Sequence, residues 1–273
     1  MSPLASASAS ALDDQSRDFY RRALNLLDQN NLQYLVGGAY AFARYTGIER
    51  HTKDFDIFVR RDDWPRAAKI LEKAGYGTEL SFPHWLGKAF GRGEAFIDLI
   101  FSAGNGVAAV DEGWFEHAAP AVVLDMDVKL IPAEEMIWSK GLIMERERYD
   151  GADVAHVIHA CGQKLDWRRL VDRYGRYWRA LYAHVILFGF IYPSRRSNVP
   201  RWVMSEFARR LADESRSPDS KDKVCYGTIL SRQQYLIDVE KWGYRDARLT
   251  PLGNMNAEEI AHWTAGIEED GSK

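Results

Sequence analysis

The sequence predicts an α+β fold, a mixed sheet carrying helices and followed by a mainly helical C-terminal region. In the first half, strand-like apolar runs alternate with helical patterns, at Leu32 to Val36, Asp54 to Arg60 and Phe96 to Phe101. Ala121 to Leu124 and Val128 to Ile131 flank Asp125-Met126-Asp127 as a hairpin. Beyond Pro132 the apolar spacing is helical. The expected division is a disordered tail over 1–12, rich in Ser and Ala, a sheet-bearing domain over 13–131, and a helical region over 132–273.

The first helix runs from Asp13 to Asp28, with Phe19, Ala23, Leu26 and Leu27 at helical spacing, and Asn30-Asn31 ends it. Gly37-Gly38 turns the chain after the first strand, Ala39 to Tyr45 forms a short helix, and Gly47 breaks it. After the strand at Asp54, Asp62-Asp63 is expected to cap a helix carrying Trp64, Ala67, Ala68, Ile70 and Leu71, closed by Gly75. A loop rich in glycine and aromatics precedes Phe96. Pro132 starts a helix at its preferred first-turn position. Helices are then expected near Ala133 to Arg148, Asp150 to Cys161, Trp167 to Tyr174 and Arg176 to Ile191, with a polar loop over Asp213 to Asp222.

Composition narrows the function classes. A hydrophobic content of 46% over 273 residues supports a sizeable core, and a net charge of -3 argues against a chain built to wrap duplex DNA. Two cysteines, Cys161 and Cys225, provide no disulfide framework and point to a reducing cytoplasm. The apolar stretch Ala180 to Tyr192 is shorter than the roughly 18 to 20 residues of a membrane span and reads as a buried helix. No membrane association is expected. Ser102 and Ser139 lack an adjacent base, and His156 and His159 lack the glutamate of a zinc-protease pattern. Trp85, Phe90 and Phe101 could stack a base, although packing is the simpler role for aromatics there.

The chemistry concentrates on acids placed inside apolar strands. In Asp54-Phe55-Asp56 the carboxylates share a face while Phe55 points into the core, and Asp98 sits at the centre of the strand Phe96 to Phe101. Carboxylates on apolar strands are costly without a cation. If the two strands are neighbours, Asp54, Asp56 and Asp98 converge on a two-metal site, suited to in-line displacement at a nucleotide's α-phosphorus. Gly37-Gly38 lets backbone N–H groups approach phosphate oxygens at a helix start. Lys140 lies four residues from both Met136 and Met144, hence on an apolar helix face, where a lysine snorkelling at the edge of that face is the simpler role.

This combination resembles the nucleotidyltransferase superfamily that includes DNA polymerase β, especially its small bacterial and archaeal members. The motifs are Gly37-Gly38, Asp54-Phe55-Asp56 and Asp98, and Arg50-His51-Thr52-Lys53-Asp54 is similar to the Arg-x-Thr-Lys-Asp of abortive-infection-type toxins. Pro132-Ala133-Glu134-Glu135 with Lys140, then Arg148-Tyr149-Asp150 and Asp153, is similar to the helical segment that follows the sheet in those proteins. The resemblance covers roughly Leu32 through Tyr174. It implies that Asp54, Asp56 and Asp98 bind Mg²⁺ or Mn²⁺, that Gly37 and Gly38 hold the distal phosphates of an NTP substrate, and that Lys140 is a phosphate ligand.

Asp150 is expected to cap its helix, and Asp153 to orient Lys140 or Arg148. Arg50 and Lys53 either steer triphosphate or neutralise Asp54 and Asp56. The implied reaction moves a nucleoside monophosphate to a hydroxyl acceptor and releases pyrophosphate. An RNA end such as tRNA, a small molecule and a protein are the candidate acceptors, and an antitoxin is a candidate partner. The alternative is a non-catalytic nucleotide-binding or interaction module on the same fold.

Overall fold

The computed structural model describes residues 13–50, 52 and 54–270. The tail expected over 1–12, the motif residue His51 and the candidate Lys53 lie outside the described residues. Helix α1 spans Asp14–Gln29, and Asp13 caps it by accepting the Ser16 N–H at 2.9 Å. β1 (Leu35–Val36) leads into α2 (Gly38–Thr46), which ends at Gly47 in the left-handed region, φ 74°. β2 (Asp54–Phe58), α3 (Trp64–Lys73), β3 (Gly77–Phe82), β4 (Leu86–Phe90) and β5 (Phe96–Ile100) follow. Then come α4 (Glu112–Glu116), β6 (Ala119–Val123) and β7 (Met126–Leu130).

These strands make one seven-stranded sheet in the order β3-β4-β5-β2-β1-β7-β6. It is mixed: β2 runs parallel to β5 and β1 parallel to β7, while the other neighbours are antiparallel. The register sets Asp56 opposite Asp98 and Asp98 opposite Lys88, so three charged residues line up across three strands. On the opposite face, Phe55 is fully buried and stacks on Tyr20 of α1, ring centroids 5.0 Å apart.

The helical region contains α5 (Ala133–Lys140), α6 (Gly151–Cys161), α7 (Trp167–Tyr174), α8 (Trp178–Ile191) and α9 (Arg201–Glu214). The chain closes with β8 (Val224–Cys225), α10 (Gly227–Leu230), α11 (Leu236–Glu240), β9 (Arg245–Asp246) and α12 (Ala257–Asp270). β8 and β9 pair in parallel as a second small sheet. The chain after β9 returns to the sheet-bearing half: Asn254 donates to the Gly106 carbonyl at 2.9 Å, and Met255 and Trp263 fill the spaces beside Gly106 and Gly104. No helix of the described residues is long and apolar enough to cross a membrane.

Several expectations need correction. The supposed loop before Phe96 contains β3 and β4, whose glycines disguised them: Gly87 is needed because the Trp64 ring lies 2.1 Å from where its Cβ would be. The first strand is two residues long and not five. The hairpin turns at Leu124-Asp125, both at positive φ, which leaves Met126 and Asp127 in the strand. Pro132 is the residue before α5, and that helix ends at Lys140 before Gly141 instead of reaching Arg148. Asp62 and Asp63 form a 3₁₀ turn, and Asp63 makes no side-chain cap to α3. α8 is only half buried, because Phe190 is 81% exposed while His184 and Phe188 face the core.

Candidate active site

β2 and β5 bring Asp54, Asp56 and Asp98 together, with one carboxylate oxygen of each inside a 4.8 Å cluster. The parallel register accounts for this, since paired residues of neighbouring strands project to the same side. Among the described residues this is the one group of three or more His, Cys, Asp or Glu side chains close enough to hold a metal ion. Three hard oxygen donors on two strands suit Mg²⁺ or Mn²⁺ better than a soft metal.

The turn at Gly37-Gly38 presses against the same acids. The Gly37 N–H donates to the Asp56 carbonyl at 3.0 Å, which ties the turn to β2. Gly38 has φ +52°, and a Cβ there would lie 1.7 Å from Asp56 Oδ2. Glycine is therefore required both by the backbone conformation and by the approach of the carboxylate. The start of α2 consequently abuts Asp56.

A second charged cluster faces the acids from the helical region. Lys140 Nζ lies 3.0 Å from Asp150 Oδ2 and 2.8 Å from Asp153 Oδ2. Arg148 pairs with Asp150 at 2.9 Å, and Arg50 pairs with Asp153 at 2.5 Å. Asp150 precedes α6 but spends its carboxylate on Lys140 and Arg148, so it does not cap that helix by its side chain. Arg50 engages Asp153 and not the strand acids, and Asp153 holds Lys140 without touching Arg148. The competing physics is simple: three cations close to two buried acids pair with those acids first.

α5 is held at the angle that presents Lys140 by a network beneath it. Arg169 reaches Glu134 at 2.7 Å, and Arg173 reaches both Glu135, at 3.0 Å, and Asp111, at 2.8 Å. Glu135 is fully buried, so its charge depends on these guanidinium partners.

Asp56, Asp98, Asp150 and Asp153 depart from ordinary carboxylates. Asp56 keeps some solvent contact, yet protein atoms crowd it; burial, then repulsion from Asp54 and Asp98, push its carboxyl up to about 7, against a partial pull from Lys140 and Arg148. Burial also raises Asp98, opposed by Lys88. Asp150 and Asp153 go the other way: burial raises each, but hydrogen bonds from Arg148 and Arg50 and the nearby Lys140 outweigh it.

Lys88 escaped the sequence reading because its strand looked like a loop; the period-two placement in Leu86-Gly87-Lys88-Ala89-Phe90 is the signal that could have found it. Of the three aromatics that could stack a base, Trp85 stacks on Phe82 and Phe101 is buried beneath Arg61, whereas Phe90 is exposed on β4.

Residues 20–89 match the family model of aminoglycoside-2''-adenylyltransferase, a segment that carries Gly37, Gly38, Asp54 and Asp56 and ends before Asp98. The match bears out the nucleotidyltransferase resemblance. Among solved structures, the antibiotic-resistance factor ANT(2'')-Ia is 17% identical, with a TM-score of 0.44, covering 63% of this chain and 95% of that one. The lincosamide antibiotic adenylyltransferase LnuA is 18% identical, with a TM-score of 0.38, covering 52% of this chain and 95% of that one. A nucleotidyltransferase-like protein from Paracoccidioides brasiliensis is 15% identical, with a TM-score of 0.37, covering 63% and 92%. No curated protein matches.

Proposed function

We propose that the chain is a divalent-cation-dependent nucleotidyltransferase that moves AMP from ATP to a hydroxyl of a small-molecule acceptor, releasing pyrophosphate. The observation that carries this reading is the convergence of Asp54, Asp56 and Asp98 against the glycine turn. Asp54, Asp56 and Asp98 would hold Mg²⁺ or Mn²⁺, which supplies charge neutralisation at the transferring phosphoryl group. In the reaction the acceptor oxygen forms a bond to the α-phosphorus, the bond to the pyrophosphate oxygen breaks, and the hydroxyl proton passes to a carboxylate or to water. Gly37 and Gly38 would receive the distal phosphates through backbone N–H groups.

Lys140, held by Asp150 and Asp153, would meet the triphosphate charge, with Arg50 completing that cation set. Lys53 is assigned to the same end by its place next to Asp54 in the sequence. The small-molecule acceptor is supported by the aminoglycoside-2''-adenylyltransferase match over the nucleotide-binding segment. Nothing comparable supports tRNA or an antitoxin, and the net charge of -3 gives a polyanionic acceptor no general attraction.

Incubation with Mg²⁺, labelled ATP and separate panels of hydroxylated antibiotics, RNA and protein is expected to release pyrophosphate and label a small molecule. Tight ATP binding without pyrophosphate release in any panel would instead favour the non-catalytic module. Cation affinity should also depend on pH. A cation competes with the proton on Asp56, so Mn²⁺ affinity measured by calorimetry is expected to rise from pH 5.5 to 8 and level off above about 7, with proton release on binding below that point. A flat profile would contradict the participation of Asp56.

A further inference from the structure

On β4, Lys88 faces the third acid of the cluster and belongs to none of the roles above. Its Nζ lies 2.9 Å from Asp98 Oδ1 and 4.2 Å from the centroid of the Phe96 ring, so the ammonium is held between a carboxylate and an aromatic face. Cross-strand register places Lys88 directly opposite Asp98. The strand beneath it is fixed, because β4 pairs on both edges and Gly87 packs against the Trp64 ring. Asp54 is treated similarly, since Thr52 donates its hydroxyl to Asp54 Oδ1.

We propose that Lys88 is a positioning residue and an internal counter-cation: it occupies one oxygen of Asp98, leaves the other for the divalent cation, and lowers the resting affinity of the acids for that cation. The inference rests on the reading of Asp54, Asp56 and Asp98 as a cation site. Fully ionised, the three carboxylates would carry a formal charge of -3 and attract cations indiscriminately; an ammonium in direct contact with one of them reduces that pull and fixes its orientation. The consequence is a site in which Asp98 acts through a single, aimed oxygen. Loss of Lys88 should therefore tighten cation binding while turnover falls, whereas a lysine that only stabilised the fold would weaken both when removed.

The experiment uses the full chain and its Lys88→Met, Lys88→Gln and Lys88→Arg variants. Mn²⁺ binding is followed by calorimetry and by electron paramagnetic resonance, alongside AMP transfer. Lys88→Met and Lys88→Gln are expected to bind Mn²⁺ about tenfold more tightly, because a competing unit charge within contact distance is gone. Turnover is expected to fall at least about tenfold in Lys88→Met and less in Lys88→Gln, which can still donate to Asp98. Lys88→Arg should stay within about threefold of the unchanged chain in both measurements.

Lys88→Gln preserves size and a donor group, so it decides the matter if Lys88→Met fails to fold. Unchanged or weaker Mn²⁺ binding in Lys88→Gln, with normal binding by the unchanged chain, overturns the inference alone. Absence of Mn²⁺ binding by the unchanged chain overturns the cation-site reading and this inference with it.

Discussion

Asp56→Asn is expected to abolish AMP transfer, by at least ~10³-fold in turnover, while raising the thermal midpoint of the protein. The opposite signs come from one cause. Burial and two neighbouring carboxylates raise the folded-state Asp56 carboxyl to about 7, from an ordinary value of 3.8. A raised folded-state value means that the folded protein binds the proton more tightly than the unfolded chain. Stability from this group is therefore fully present below about 4 and is lost as pH rises towards 7. At pH 8 the ionised carboxylate costs up to about 4 kcal/mol as an upper bound. Asparagine removes the charge at similar volume, so thermal melts between pH 4 and 8 should show a flatter profile than the unchanged chain. A variant that melts lower at pH 8, or that retains transfer, would remove Asp56 from the role given to it.

Gly38→Ala is the second large effect, and here activity and stability fall together. The added methyl would lie 1.7 Å from Asp56 Oδ2 at a backbone φ of +52°, so either the carboxylate or the turn must move. The left-handed backbone alone costs ~1 kcal/mol for alanine, and displacement of the carboxylate adds to it. A displacement of about an ångström at a reacting centre costs on the order of 10²-fold in rate. Gly47→Ala provides the comparison: its φ is +74° but nothing lies within 4 Å, so it should lose stability and keep its kinetics. Chemical denaturation and steady-state transfer rates on both variants separate strain from site disruption. Equal kinetic losses in the two would show that Gly38 has no special relation to the acids.

The strand acids were legible because strand geometry repeats every second residue. Asp54 and Asp56 must share a face whatever surrounds them, and a single acid in Phe96 to Phe101 needs a neighbour of opposite or matching purpose. Lys140 was legible only in part: Met136, four residues before it, shares its helix, but α5 ends at Lys140 and leaves Met144 outside. The partners of these residues were not legible. Arg50 finds Asp153 and Lys88 finds Asp98 through sheet order and helix packing, and neither pairing has a local signature. Glycines also misled: Gly87 looked like a loop residue, whereas it makes room for Trp64. The C-terminal third stayed opaque because its order comes from long-range contacts, including the hydrogen bond from Asn105 to the Ile229 carbonyl and the return of Asn254 to Gly106.

That return has a consequence for biosynthesis. The Asn254 to Gly106 hydrogen bond joins residues 148 positions apart, and Trp263 covers Gly104, just downstream of the strand that holds Asp98. On the ribosome, the sheet can assemble before residues 254–263 have emerged, but the loop that follows β5 is left uncovered until they do. That loop therefore waits, during synthesis, for a segment made about 150 residues after it.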